Sequence, residues 1–424
     1  MGVGNVILNI KFVLLMMMKS KIIVIVIVAA VVLAAVGVFI ITQNDGSDDN
    51  RPNTAGQKVT DAVGRTVTVP ETLENGIVTV GSSGPLRFVS CFDVFDLIVE
   101  VDKGDVTDSK NGRAYSYAYQ YDSLTRYHAD NALESGTTES IGNLNPSLII
   151  VQESVWNNFT ENCNVLASKC TLVVIKSQSM TTMWDTNYGL SKDMEDTFNL
   201  LGTLLGKEKR ATEIINGIES ILKDIRSLKG TSSDNVYVAG VTINGSNTLN
   251  TTFPVYMPLT LIGGNNAYNG GSTDSRVTMN VEAFTSMDID MMVIDPSSSD
   301  KMIEQDSQNV LKYIYGLNNN ANSDDDVALY VTVPIVWDSI NYDCSLASAY
   351  YITHLLYNTL THDEVVEKIN NIFTVFYGDD GENVLEDMSK FFVNKSSANN
   401  VELPLLEEVK ITIKDGKYYV TALD

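Results

Sequence analysis

At 424 residues the chain exceeds what one hydrophobic core usually holds, so two lobes are the first expectation. Its 29 Lys and Arg stand against 53 Asp and Glu, a net charge of −24 that argues against nucleic acid and against docking on anionic lipid. With only three His, and no G-x-S-x-G or H-E-x-x-H, hydrolase and zincin readings have little support.

The chain begins with a short basic stretch, 1–21, holding Lys11, Lys19 and Lys21. Ile22–Ile41 follows as an uncharged apolar run, and Asp45, Asp48 and Asp49 lie beyond it. Twenty apolar residues at ~1.5 Å rise cover the ~30 Å hydrocarbon core of a bilayer. Residues 22–42 are thus expected to be a transmembrane anchor or signal segment. The run is longer than a usual signal core, which favours the anchor. The flanking charges put the N-terminus in the cytoplasm and the bulk of the chain outside.

Residues 43–58 are polar and read as a flexible linker. Val59–Val69 alternates around Asp61-Ala-Val-Gly64, as a hairpin would. Strand-like runs then recur at Ile77–Val80, Leu97–Val101, Leu148–Val151, Leu172–Ile175, Val236–Val241, Met291–Ile294 and Ala328–Val333, with helical patterns between several of them. Such alternation predicts α/β layers built on parallel sheets. Between the two groups of strands, Ser191–Lys229 carries the longest helical periodicity, with a break marked by Gly206 and Lys207. Lys410–Thr421 reads as a final hairpin around Asp415-Gly416. Cys163 and Cys170 are close enough in sequence for a small disulfide, and two free or buried thiols are the equal alternative. Sequons at Asn158, Asn244, Asn250 and Asn394 suit an external domain.

Several segments, in order, resemble one family. VTDAVGRTVTVP (Val59–Pro70), GSSGPLRFVSCFDVFDLIVEVDKGD (Gly81–Asp105), NGRAYSYAYQYD (Asn111–Asp122) and IGNLNPSLIIV (Ile141–Val151) come first. FNLLGTLLGKEKRATEII (Phe198–Ile215), GGNNAYN (Gly263–Asn269), VEAFTSMDIDMMVID (Val281–Asp295), NYDCSLASAYYITHLLYN (Asn341–Asn358) and FYG (Phe376–Gly378) follow. The series is similar to substrate-binding proteins of ABC importers for ferric siderophores, haem and cobalamin, over residues 59–378. The resemblance implies an α/β fold with two Rossmann-like lobes joined by a long linking helix. The lobes would span 59–188 and 230–378, the linking region 189–229, and an extension with a hairpin 379–424. It implies no catalysis and no cofactor, the alternative being an enzyme or sensor ectodomain that has borrowed the fold. It implies a ligand such as a ferric siderophore, haem or cobamide-like compound, and an ABC permease with its ATPase as partner. Glu282 matches the glutamate with which the second lobe meets the permease, and Glu139 is the nearest first-lobe counterpart.

A bare metal site lacks the clustered His and carboxylates it would need, and His354 and His362 read as structural. Gly81-Ser-Ser-Gly84 lacks the P-loop lysine and reads as a tight strand-to-helix turn, and Gly263-Gly264 likewise as a turn. A bulky ligand would be held by aromatic walls and a few polar groups. Tyr115, Tyr117, Tyr119 and Tyr121 alternate and would share one side of a strand. Arg113 and Arg126 flank them. Trp156 and Trp184, with Tyr188, come next in the first lobe. Thr252, Tyr256, Trp337 and Tyr342 follow in the second, most of these lying beyond a strand end, where open α/β sheets bind ligands.

Overall fold

The computed structural model describes residues 52–82, 84–107, 112–176, 179–185, 187, 189–242, 246–270, 275–320, 326–337, 339–397 and 401–423. The expected anchor at 22–42 lies outside the described residues, among which no helix is long and apolar enough to cross a membrane. The fold opens with the expected hairpin, β1 (Lys58–Thr60) paired antiparallel with β2 (Thr66–Thr68).

The first α/β layer holds five parallel strands. They are β3 (Ile77–Val80), β4 (Ile98–Asp102), β5 (Tyr127–His128), β6 (Leu148–Gln152) and β7 (Thr171–Ile175), in the order β5-β4-β3-β6-β7. Parallel neighbours require crossover connections, and short helices supply them. These are α1 (Pro85–Val89), α2 (Lys103–Thr107), α3 (Tyr115–Ala118), α4 (Ser135–Leu144), α5 (Glu153–Asn158) and α6 (Thr160–Ala167). Strand residues alternate between two cores. Ile77, Leu148 and Ile150 join the main core, while Val78, Val80, Ile149 and Val151 meet Ile141, Cys163 and Leu166 on the other face. Both faces are covered, which is why these strands read as unbroken apolar runs.

The linking region is two helices, α7 (Lys192–Leu205) and α8 (Glu208–Ser227). Ser191 caps α7 by accepting from Met194 N–H. Gly206 ends it in the left-handed region at φ 65°, and a Cβ there would also meet the backbone of Pro52 and Asn53 at 2.9 Å. The 20 residues of α8 bury Ala211, Ile214, Ile218, Ile221, Leu222 and Ile225, one stripe at helical spacing.

The second layer begins with β8 (Asn235–Ala239). Then come β9 (Thr251–Thr252), α9 (Met257–Ile262), β10 (Asn265–Asn266), β11 (Val277–Thr278), α10 (Val281–Thr285), β12 (Met291–Ile294), α11 (Gln305–Asn318) and β13 (Ala328–Val331). A short hairpin, β14 (Val336–Trp337) with β15 (Ser339–Ile340), leads into α12 (Tyr342–Tyr357) and α13 (His362–Tyr377). The extension adds α14 (Val384–Ser397), β16 (Glu408–Lys414) and β17 (Lys417–Ala422). The sheet order is β10-β8-β12-β13-β16-β17, parallel through β13 and antiparallel beyond it. The extension therefore widens the second sheet, through the hairpin expected at Asp415-Gly416.

One local expectation is corrected, and of the two alternatives for Cys163 and Cys170 the free thiols are the ones seen. The alternating tyrosines do not form a strand. Tyr115 and Tyr117 lie on α3, Tyr119 caps it, and Tyr121 starts a 3₁₀ turn. Burial drives this: Tyr115, Tyr119 and Tyr121 pack on one another and on Phe95 within the core. Cys163 and Cys170 form no disulfide. Both are buried free thiols, and burial holds the Cys163 thiol up at about 11.

Candidate functional site

The strand ends of the first sheet are tied together by carboxylates. Asp102, at the end of β4, accepts from Gly81 N–H and Asn131 N–H, each at 2.7 Å. Asn131 accepts from Ser82 N–H at 3.0 Å, and Gly84 N–H donates to Gly81 O. The amides of Gly81, Ser82 and Gly84 are thus spent on the protein itself, as in a structural turn. His128, at the end of β5, lies 3.1 Å from Glu100 and 3.4 Å from Asp102. Burial pulls its pKa down, but the two carboxylates outweigh that and hold it at about 9, so it is cationic at neutral pH.

Beyond these strand ends the two layers meet face to face. Phe88 of α1 packs on Tyr342 at the start of α12, with ring centroids 5.3 Å apart. The Asn341 side-chain amide donates to Gly112 O and Pro334 O, tying one layer to the other. Tyr119 meets Tyr377 edge-on at 6.5 Å. Arg210 of α8 donates to Cys91 O at 2.9 Å on one side and to Val375 O and Phe376 O at 2.8 and 3.0 Å on the other. The extension also takes part: Phe391 of α14 packs on Tyr117 at 6.0 Å, and Lys395 pairs with Asp300 at 3.1 Å.

This interface encloses charge. Arg113 is 1% exposed and sits 3.3 Å from Asp105, which also accepts from Tyr115 O–H at 2.6 Å. Burial pushes the Asp105 pKa up to about 6 despite Arg113. Asp343, on the opposite layer, accepts from Tyr377 O–H and Cys344 N–H, and burial raises its pKa as well. Arg87 is 3% exposed and lies 5.7 Å from the ring centres of both Tyr115 and Tyr342, one from each layer. None of its three guanidinium nitrogens meets a hydrogen-bond acceptor.

The sequence-selected residues distribute unevenly over this site. Arg113, Tyr115, Tyr119 and Tyr342 come together at the interface, and Tyr117 borders it beneath α14. Trp184 is buried in the main core just before α7, with an indole N–H that has no acceptor. Thr252 and Tyr256 are buried in the second layer, where Tyr256 packs on Phe253. Trp156 instead lies under Arg65, 4.1 Å from its guanidinium, beside the opening hairpin. Trp337 pairs through its backbone with Ser339, while its side chain and all of Tyr188 lie outside the described residues. Arg126 is exposed. Glu139 on α4 and Glu282 in the first turn of α10 are exposed carboxylates, as docking groups would be. His354 and His362 each face a backbone carbonyl, of Leu360 and Leu406. Among the described residues no group of three or more His, Cys, Asp or Glu is placed to hold a metal ion. A separate groove of about 480 Å³ lies on the first layer, lined by Asp61, Lys176, Asp193, Asp196 and neighbours.

Sequence reasoning missed Arg87, Asn341 and Asp343. Arg87 had a signal: it is the one charge in Pro85–Val89, a helix in which every residue is buried. Asn341 and Asp343 stood inside a quoted segment without being singled out.

A parallel sheet and a second sheet parallel through β13 are bridged by a helical link, with strand ends facing a polar seam. Comparison with known proteins agrees. Residues 104–311 match the family model described as periplasmic binding protein. No curated protein matches the sequence. A periplasmic solute binding protein from Veillonella parvula is 17% identical, with a TM-score of 0.52 over 77% of this chain and 96% of that one. The molybdate periplasmic binding protein MolA of Haemophilus influenzae, solved with molybdate, is 14% identical, with a TM-score of 0.55 over 76% and 98%. An ABC transporter solute binding protein from Sulfurospirillum deleyianum is 14% identical, with a TM-score of 0.53 over 76% and 95%. At these identities the structural likeness is one of fold. Residues 104–311 are thus similar to the family that the sequence resembles.

Proposed function

We propose that this protein is the extracytoplasmic substrate-binding component of an ABC importer. It captures a metal chelate of the ferric siderophore, haem or cobamide type between its two layers and delivers it to a permease driven by an ATPase. Residues 22–42 hold it to the membrane, with the α/β layers outside. It performs no bond chemistry on its cargo.

One observation carries this reading. Polar and aromatic side chains from both layers are buried together at the strand ends, around a seam crossed by Arg210, Asn341 and Tyr342. Binding there would draw mainly on burial of apolar area, at ~25 cal/mol per Å². Exposed Glu282 and Glu139 then supply carboxylates for the permease, where a charge steers association more than it sets affinity.

The test is fluorescence titration of the full chain in detergent with ferric siderophores, haemin and cyanocobalamin, with mass spectrometry of the recovered compound. Saturable quenching by one of them, with the compound recovered unchanged, is expected. Recovery of a chemically altered compound would overturn the transport reading in favour of an enzyme.

A further inference from the structure

The interface holds an arginine whose chemistry is incomplete. A guanidinium carries five N–H donors in a rigid fork. A buried polar group without an acceptor is costly, and a buried charge more so. Arg87, Arg113 and Arg126 answer this differently. Arg126 is exposed to solvent, and Arg113 is buried but paired with Asp105. Arg87 is as buried as Arg113, yet its nitrogens Nε, Nη1 and Nη2 all lack acceptors.

Its surroundings are those of a recognition site rather than of a structural ion pair. The Tyr115 and Tyr342 ring centres each lie 5.7 Å away, and a cation near the faces of aromatic rings is held without its N–H groups being used. One ring belongs to each layer, so closure of the layers builds the clamp. Asp105 and Asp343 lie near enough to feel its charge, but both oxygens of Asp343 already accept hydrogen bonds, and Asp105 Oδ1 is engaged by Arg113 and Tyr115, while Asp105 Oδ2 meets no donor, Arg87 included.

We propose that Arg87 is the anchor for an oxygen anion on the cleft ligand, received as a forked pair of N–H···O bonds between Tyr115 and Tyr342. This rests on the binding-protein reading and narrows it: the cargo is anionic at the end that enters the interface. The chemistry is shared by a free oxoanion and by the acidic edge of a larger chelate. Planar two-oxygen groups suit the guanidinium fork best.

The full chain in detergent is titrated at pH 7 with molybdate, ferric citrate and haemin, and with dicyanocobinamide as a probe that carries neither carboxylate nor phosphate. Wild type is expected to bind at least one of the three anions. Arg87→Gln should weaken that binding by roughly 10- to 100-fold, as loss of charge-assisted hydrogen bonds does, while Arg126→Gln leaves it unchanged. Preference for molybdate assigns a free oxoanion, and preference for ferric citrate or haemin assigns the edge of a chelate. In the ligand-free chain, Arg87→Leu should raise the melting temperature, because it removes buried N–H donors that meet no acceptor. Equal anion binding by wild type and Arg87→Gln overturns the anchor, as does a fall in the ligand-free melting temperature with Arg87→Leu. Binding of dicyanocobinamide alone overturns the anchor but leaves the binding-protein reading standing. Failure to bind any of the four probes overturns both.

Discussion

The two layers meet at one interface but bring different chemistry to it. The first layer carries most of the buried charge: Arg87, Glu100, Asp102, Asp105, Arg113 and His128. Among the described residues the second contributes Asp295 and Asp343. Asp295 is satisfied within its own layer, accepting from Ser297 N–H, Ser297 O–H and Ile335 N–H at 2.9, 2.6 and 3.0 Å. Burial still pushes its pKa up to about 6. The second layer otherwise offers rings and neutral polar groups, and its sheet is widened by the C-terminal hairpin. The difference implies a division of labour in which the first layer reads the charge of the cargo and the second encloses it.

Three experiments break or sharpen that division. The largest effect is expected from Arg210→Ala, which cuts the link that α8 makes to both layers. Loss of three charge-assisted hydrogen bonds should cost roughly 3 kcal/mol. Urea unfolding would read this as a lower midpoint, and a second transition would show that the layers now unfold separately. An unchanged midpoint would mean that the interface is held without Arg210.

A smaller effect follows from His128. Its folded pKa of about 9 lies above the ordinary histidine value of 6.5, so its stabilisation is complete below pH 6.5 and is lost as pH rises through about 9. The raised pKa values of Asp105 and Asp295 also favour low pH, but their window lies between about 3.8 and about 6. Between pH 6.5 and 9.5 the chain should therefore lose on the order of 2 kcal/mol of unfolding free energy. His128→Leu should flatten that slope. A slope that survives the substitution would place the titrating group elsewhere.

The smallest effect on the molecule itself is expected from Glu282→Ala. As an exposed group in the first turn of α10, it contributes ~0.3–1 kcal/mol through the helix dipole. Ligand affinity should hold within a factor of about two, whereas stimulation of the transporter's ATPase should fall clearly, and further than with Glu139→Ala. Unchanged transport would remove Glu282 from the docking surface.

Much of the architecture was legible in the sequence. The apolar runs at 77–80 and 291–294 are strands with those bounds, and the break at Gly206 divides α7 from α8. These features are local: burial on both faces, helical spacing and glycine punctuation act over a few residues. The site was harder to read because it is made by contacts between distant segments. The tyrosine series has strand-like alternation, yet packing against Phe95 and Tyr377 folds it into a helix and a turn. Trp156 follows a strand end as a cleft residue would, and stacks on Arg65 because the opening hairpin crosses there. Arg87 gains its meaning only when Tyr342, 255 positions later, closes over it.

The division of labour is tested most directly by a crystal structure of the full chain with the anion that binds best in titration. Ligand oxygens are expected within hydrogen-bonding distance of Arg87, with Tyr115 and Tyr342 on either side and Asp295 untouched. Ligand density in the groove beside Lys176 and Asp193, with Arg87 still without an acceptor, would contradict it.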